Sequence, residues 1–258
     1  MSLQYTKHLI FIFLFVGCLA VNAAAQSLVE SPNVSPHPLR VGEKLTYNIS
    51  VKKVPAVQRI DWIVKEELLN GETVYYVQST MKPRALFKFY NFERQDETYL
   101  NPKTLVPVRF RSQFRKQKSR TTVAIDFREE TAEYEKISRL DPKSPEEREV
   151  KVIEIPTGTQ DELSRLYFLH SKQLAVGKIY FYPLITKGEL QKVTLTVERR
   201  EKVKNKKLGT VETLVLISST GSRFWFTDDE RRLLVEAETK TDDSTAKLTL
   251  VGIEFTKE

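Results

Sequence analysis

The sequence predicts a mainly β protein: a single strongly curved antiparallel sheet, an incomplete barrel or twisted sandwich, with one helix packed on it. Three observations lead there. Apolar and polar residues alternate with a period of two along most of the chain after Val41, as they do on a half-buried strand. Turn residues separate these runs at the ~8–12-residue spacing of a meander that curls on itself. Only one stretch, residues 157–177, carries a helical period instead.

The chain opens with "MSLQYTKHLIFIFLFVGCLAVNAAAQS": Lys7 in a short polar head, an apolar run from Leu9 to Val21, and Ala23-Ala24-Ala25 before Gln26. This is the pattern of a secretory signal peptide over residues 1–25. The apolar run is too short to span a bilayer, which takes about 20 residues. The expected location is therefore periplasmic or secreted, after cleavage near Ala25. Gly17-Cys18 offers a second processing site, which would leave a lipoprotein anchored through Cys18. Cleavage near Ala25 removes the only cysteine, and with it any disulfide or thiolate chemistry. Residues 26–40, with Pro32, Pro36 and Pro38 and no sustained period, read as a flexible tether. A single β-rich domain is expected over 41–258.

Within it, "EKLTYNISVKK" places Leu45, Tyr47, Ile49 and Val51 on one face. "QRIDWIVKEELL" and "ETVYYVQSTM" flank Asn70-Gly71, a hairpin signal because both residues accept positive φ. Further strands are expected at 86–100, 104–115, 119–127, 130–138, 149–155, 178–186, 189–201, 208–219, 222–227, 231–239 and 245–255, making roughly 14 in all. Between them, 157–177 has Thr159 or Asp161 as cap, Leu163, Leu166, Tyr167 and His170 at three- and four-residue spacing, and Gly177 as stop. That spacing predicts one helix of about three turns. Residues 138–149, rich in proline and charge, read as a loop.

The ordered landmarks "VGEKLTYNIS", "DETYLNPKTLVPVRF", "DELSRLYFLH", "WFTDDERRLLVEAETK" and "STAKLTLVGIEF" resemble an exported bacterial family, domain of unknown function 3108. The similarity runs from about Val41 to Phe255. It implies an exported, β-rich, single-domain protein and supplies no catalytic residues. Two departures stand at strand junctions: "KKVPAVQ" where such proteins have a small or glycine-containing turn, and Leu233-Leu234 where a proline follows the arginine pair.

Candidate chemistry is sparse. Asp228-Asp229-Glu230 lies between two alternating runs, so it reads as a turn, with aspartates accepting from nearby main-chain N–H groups, rather than as an acid–base pair converging on a cleft. Beyond the leader the histidines are His37 and His170; they cannot assemble a zinc site, and no Gly-x-Ser-x-Gly elbow places a serine beside either. No glycine loop cradles a phosphate. No catalytic residue, metal or cofactor is therefore expected.

Two stretches suggest binding instead. Arg109, Arg111 and Arg115 share one face of a strand, opposite Val108, Phe110 and Phe114, and such a guanidinium row beside a hairpin tip with Lys116, Lys118 and Arg120 suits phosphates or carboxylates. The same row also reads as a basic solvent face. "ALFKFYNF" brings Phe87 and Phe89 into a stretch denser in aromatics than alternation requires, which means either burial on both sides or an apolar surface open to a ligand. The net charge of +7 sits on 41 basic and 34 acidic groups. In an exported chain the excess points to anionic envelope components and away from nucleic acid; being small beside the total, it reads more simply as a solvated surface of mixed sign. The leading expectation is a non-catalytic envelope protein binding a lipid or other anionic amphiphile, by analogy with curved sheets of this type. The alternatives are an assembly factor for another envelope protein and, third, an envelope hydrolase.

Overall fold

The computed structural model describes residues 39–84, 87, 89, 91–241 and 244–256. The leader, Cys18, His37 and all of the tether before Leu39 lie outside the described residues. The chain builds β1 (Glu43–Val51), β2 (Val54–Leu69), β3 (Glu72–Pro83), β4 (Phe92–Leu100), β5 (Pro107–Lys116), β6 (Ser119–Phe127) and β7 (Thr131–Arg139). It continues with β8 (Glu147–Glu154), β9 (Ile179–Thr186), β10 (Glu189–Asn205), β11 (Gly209–Ser218), β12 (Arg223–Thr227), β13 (Leu234–Thr241) and β14 (Ser244–Phe255).

All fourteen belong to one sheet in the order β8-β7-β6-β5-β4-β3-β2-β1-β14-β13-β12-β11-β10-β9, and all named pairings are antiparallel. The sheet is mainly β and barrel-like but not closed. Its two free edges, β8 and β9, are consecutive in the chain, so residues 155–178 run from one edge to the other. Register shifts at Thr46/Tyr47, Ile49/Ser50, Ile63/Lys65, Tyr99/Leu100 and Val197/Arg199 add the local twist that bulges impart.

Local chemistry explains the turns. Asn70 and Gly71 have φ of 54° and 85°, as the hairpin signal requires. "KKVPAVQ" makes a turn of the same kind without glycine, with Lys52 at 49° and Lys53 at 66°. In the stretch expected as one strand over 86–100, β4 begins only at Phe92. The loop expected at 138–149 is in part an ordered turn: Asp141 accepts from the main-chain N–H groups of Lys143 and Ser144 at 2.8 and 3.0 Å.

The single helix expected over 157–177 is not formed. The segment contains two short 3₁₀ helices instead, Ser164–Leu166 and Phe168–Ser171. Asp161 accepts from the N–H groups of Leu163 and Ser164 at 2.7 Å each, but the N-cap position of the first short helix is Leu163, not Thr159 or Asp161. Gln160, however, is locked to β9, donating its N–H to the Pro183 carbonyl and accepting from the Ile185 N–H. The apolar side chains that follow also serve two walls. Leu163 and Tyr167 pack with Phe110, Ile125 and Tyr134, while Phe168, Leu169 and Leu174 pack with Tyr182, Leu195 and Leu216. One amphipathic stripe reaches a single wall; two tight turns reach both. The linker thus fills the interior of the curved sheet and divides its core in two.

Candidate ligand-binding cavity

Above this plug, toward the β5–β6 and β9–β10 turns, the sheet encloses two adjoining cavities. The larger, about 470 Å³, is walled by inward side chains of β4 to β7, among them Phe92, Phe110, Phe114, Val123, Ile125 and Tyr134. Strand alternation puts these on one face, since Phe110 stands opposite Thr98 and Ile125, and Ile125 opposite Tyr134. The smaller, about 190 Å³, lies toward β13 and β14, against Phe224, Ala237 and Leu248. Arg94, Glu162, Thr186 and Lys187 line both, so an ion pair forms the partition.

That pair is tightly held. Arg94 Nη2 donates to Glu162 Oε2 at 2.5 Å, and its Nε donates to Asp96 at 2.8 and 2.9 Å. Thr186 Oγ1 donates to Glu162 at 2.8 Å, and Ser112 Oγ to Asp96 at 2.6 Å. Burial pushes the Glu162 carboxyl up, but the Arg94 charge and the Thr186 hydroxyl outweigh it and hold the group below the ordinary glutamate range. At Asp96 burial wins and the pKa is raised despite Arg94 and Ser112. Deeper still, Asp161 is fully buried and accepts from Thr98 Oγ1 at 2.6 Å. Burial lifts its pKa to about 6 against the opposing effect of those hydrogen bonds.

The larger cavity is basic at its polar positions: Arg94, Lys116, Lys136 and Lys187 face it, against Glu162 alone. Lys136 also lies 3.7 Å from Glu149 of β8. At the mouth, the β9–β10 turn consists of Lys187 and Gly188, with φ of 53° and 75°. A Cβ on Gly188 would stand 2.8 Å from the Tyr134 ring, so this tip rests directly on the cavity wall.

The residues singled out by sequence are dispersed around this cavity. Arg109 and Arg111 project to the opposite face from Phe110, where both bind Asp126: Arg109 Nε at 2.9 Å, Arg111 Nη2 at 2.8 and 3.0 Å. Their hydrogen bonds and charge outweigh burial and lower the Asp126 pKa. Arg109 also sits 5.9 Å over the Tyr99 ring. Arg115 is exposed near the β5–β6 turn, with Arg120 as its cross-strand neighbour. Phe87 packs with Met81 and Phe92 at the end of β3, and Phe89, 70% exposed, has its ring 6.3 Å from that of Phe87. Of the basic tip expected from sequence, Lys116 lines the larger cavity. Sequence reading missed Lys136 and Lys187; Lys136 could have been found, because it shares parity with Tyr134.

The acidic run 228–230 forms the β12–β13 turn. Asp229 accepts from Thr227 Oγ1 at 2.6 Å and the Arg231 N–H at 3.0 Å, and Asp228 binds Arg200 and Arg232. Among the described residues no group of three or more His, Cys, Asp or Glu is placed to hold a metal, and no helix is long and apolar enough to cross a membrane.

The fold has relatives among solved structures. The chain is similar to a β-barrel-like protein of domain of unknown function DUF1849 from Brucella abortus, at 11% identity and a TM-score of 0.53 over 85% of this chain and 100% of that one. Weaker likenesses are a candidate exported protein with a YmcC-like fold from Bacteroides fragilis (7% identity, TM-score 0.38, 85% and 99% covered) and a candidate lipoprotein from Parabacteroides distasonis (9%, 0.32, 86% and 100%). No curated protein matches the chain by sequence. The model of the family described as "protein of unknown function (DUF3108)" matches residues 46–251, and the chain belongs to that family.

Proposed function

We propose that this protein is an exported, non-catalytic envelope protein that holds an anionic amphiphile in the larger cavity. The supporting observation is the composition of that cavity: an aromatic and aliphatic wall of about 470 Å³ with Arg94, Lys116, Lys136 and Lys187 facing Glu162 alone. A volume in the ~300–1,000 Å³ range is that of small-molecule sites. Burial of a hydrocarbon chain against Phe110, Val123 and Ile125 supplies the affinity, and the ammonium groups meet an acidic headgroup. Phe87 and Phe89 are not among the residues that line the cavity; Arg115 adds positive charge next to Lys116, which does. Arg109 and Arg111, committed to Asp126, serve the outer face.

Hydrolysis fits the same geometry poorly. The two carboxyls of this site with raised pKa are shut away, Asp161 at 0% exposure and Asp96 at 4% beneath its bonds to Arg94 and Ser112, whereas Glu162, which faces the larger cavity, is held ionised by Arg94. A general acid needs both access and a proton at working pH.

The test is extraction of protein purified from its own envelope, with mass-spectrometric identification of bound lipid. Wild type should carry a stoichiometric acidic amphiphile. Val123→Trp, which fills the cavity, should carry none, and Lys116→Glu with Lys136→Glu should lose most of it. Bare wild-type protein that also fails to take up fatty acid or anionic phospholipid from vesicles would refute the proposal.

A further inference from the structure

The two free edges of the sheet are defended unequally. β9 carries Pro183, and Gln160 pairs beside it with Leu184 in a parallel bridge. A proline and a covering segment are the ordinary ways of blocking an edge. Among the described residues β8 has a neighbour only in β7, and nearly all of it is exposed on both faces, with Val150 at 62% and Val152 at 71%. Its protection is charge alone: Glu147, Arg148, Glu149, Lys151 and Glu154.

Charge protects an edge only in registers where like meets like. Two copies of β8 related by a two-fold axis normal to the sheet pair antiparallel, and opposed residues must share a face. The axis therefore passes through a residue. Centred on Glu149 or Lys151, the pairing sets two like charges against each other. Centred on Val150, it sets Glu149 against Lys151 of the second copy and Lys151 against Glu149. Val150 then meets its own counterpart, and the stem of Arg148 covers Val152. Glu149 and Lys151 are already 2.7 Å apart within one strand, so pairing closes a four-charge cluster. Arg148 is steadied by Glu135 of β7 at 2.5 Å.

We infer that β8 is a self-association edge, and that the partner it fits is a second copy of this chain, in the register centred on Val150. The inference is independent of what occupies the cavity.

Charge reversal tests it, read by sedimentation equilibrium of the intact chain at increasing concentration. Wild type should approach twice the mass of one chain. Glu149→Lys alone opposes lysine to lysine, and Lys151→Glu alone opposes glutamate to glutamate, so each should remain monomeric. Mixed one to one, the two variants should form a heterodimer, and the double exchange should restore the homodimer. Val150→Lys, which puts two ammonium groups on the axis, gives a further disruptive variant at an exposed side chain. Wild type that stays monomeric at its highest attainable concentration overturns the inference. So does a dimer whose dissociation constant is unmoved by Glu149→Lys and Val150→Lys.

Discussion

Replacing Asp161 with asparagine should change the pH dependence of stability in a direction opposite to that of most carboxylates. Asp161 is 0% exposed, and burial raises its pKa from 3.8 to about 6, although Thr98 and the Ser164 and Leu163 N–H groups stabilise the charged form. Between those values the folded chain binds more protons at this group than the unfolded chain does. The contribution of Asp161 to stability therefore falls as pH rises through that window and levels off above it. At ~1.36 kcal/mol per pH unit, the full swing is about 3 kcal/mol. Asparagine keeps an oxygen for Leu163 and Ser164 and an amide for Thr98, whose hydroxyl already lies 3.4 Å from the Arg109 carbonyl. Urea unfolding of both proteins below, within and above the window measures the difference. The variant should gain about 3 kcal/mol on wild type from the low to the high end. A difference flat to within ~0.5 kcal/mol, less than extrapolation error, would refute the reasoning.

Other perturbations follow from single observations. Gly188→Ala places a side chain at φ 75° and 2.8 Å from the Tyr134 ring, and should cost about 2 kcal/mol or more in urea unfolding. Lys53→Gly relieves a left-handed lysine at φ 66° and should raise stability by roughly 0.5–1 kcal/mol; an unchanged midpoint would count against strain there. Arg94→Met leaves Asp96 and Glu162 without their shared cation. It should cost about 3–5 kcal/mol, measured by the same assay, with the loss shrinking at acid pH as the two carboxylates take up protons.

The strand pattern was legible because each β run repeats one local fact: which side of the pleat faces the core. Asn70-Gly71 was legible because its backbone demand is written in two adjacent residues. The helix was misjudged for a related reason. Leu163, Leu166 and Tyr167 have helical spacing, yet their burial is divided between two walls that only the folded sheet creates. The cavity was hidden more deeply. Arg109 and Arg111 look like a binding row until Asp126, 17 and 15 residues away, is seen to claim both. Glu162 and Arg94, 68 residues apart, signal nothing in sequence. Lys116 was legible as part of the basic β5–β6 tip, whereas Lys136 gave only a parity clue with Tyr134 that attention to the arginine row passed over.

Every strand in the sheet pairs with a sequence neighbour except at one seam, where β1 meets β14; there the Gly42 carbonyl accepts from Thr256, 214 residues away. Two local zippers, β1 to β8 and β9 to β14, can therefore form by successive hairpins, and a single junction carries the entropic cost of long-range closure. That junction is therefore expected to be the slow step of folding. Until it closes, the chain exposes two further strand edges, β1 and β14, in the centre of its future sheet. Leu250, fully buried opposite Tyr47, becomes part of the barrier only as the seam zips. Its truncation should therefore slow the closing of the seam while leaving the rate at which each meander assembles unchanged.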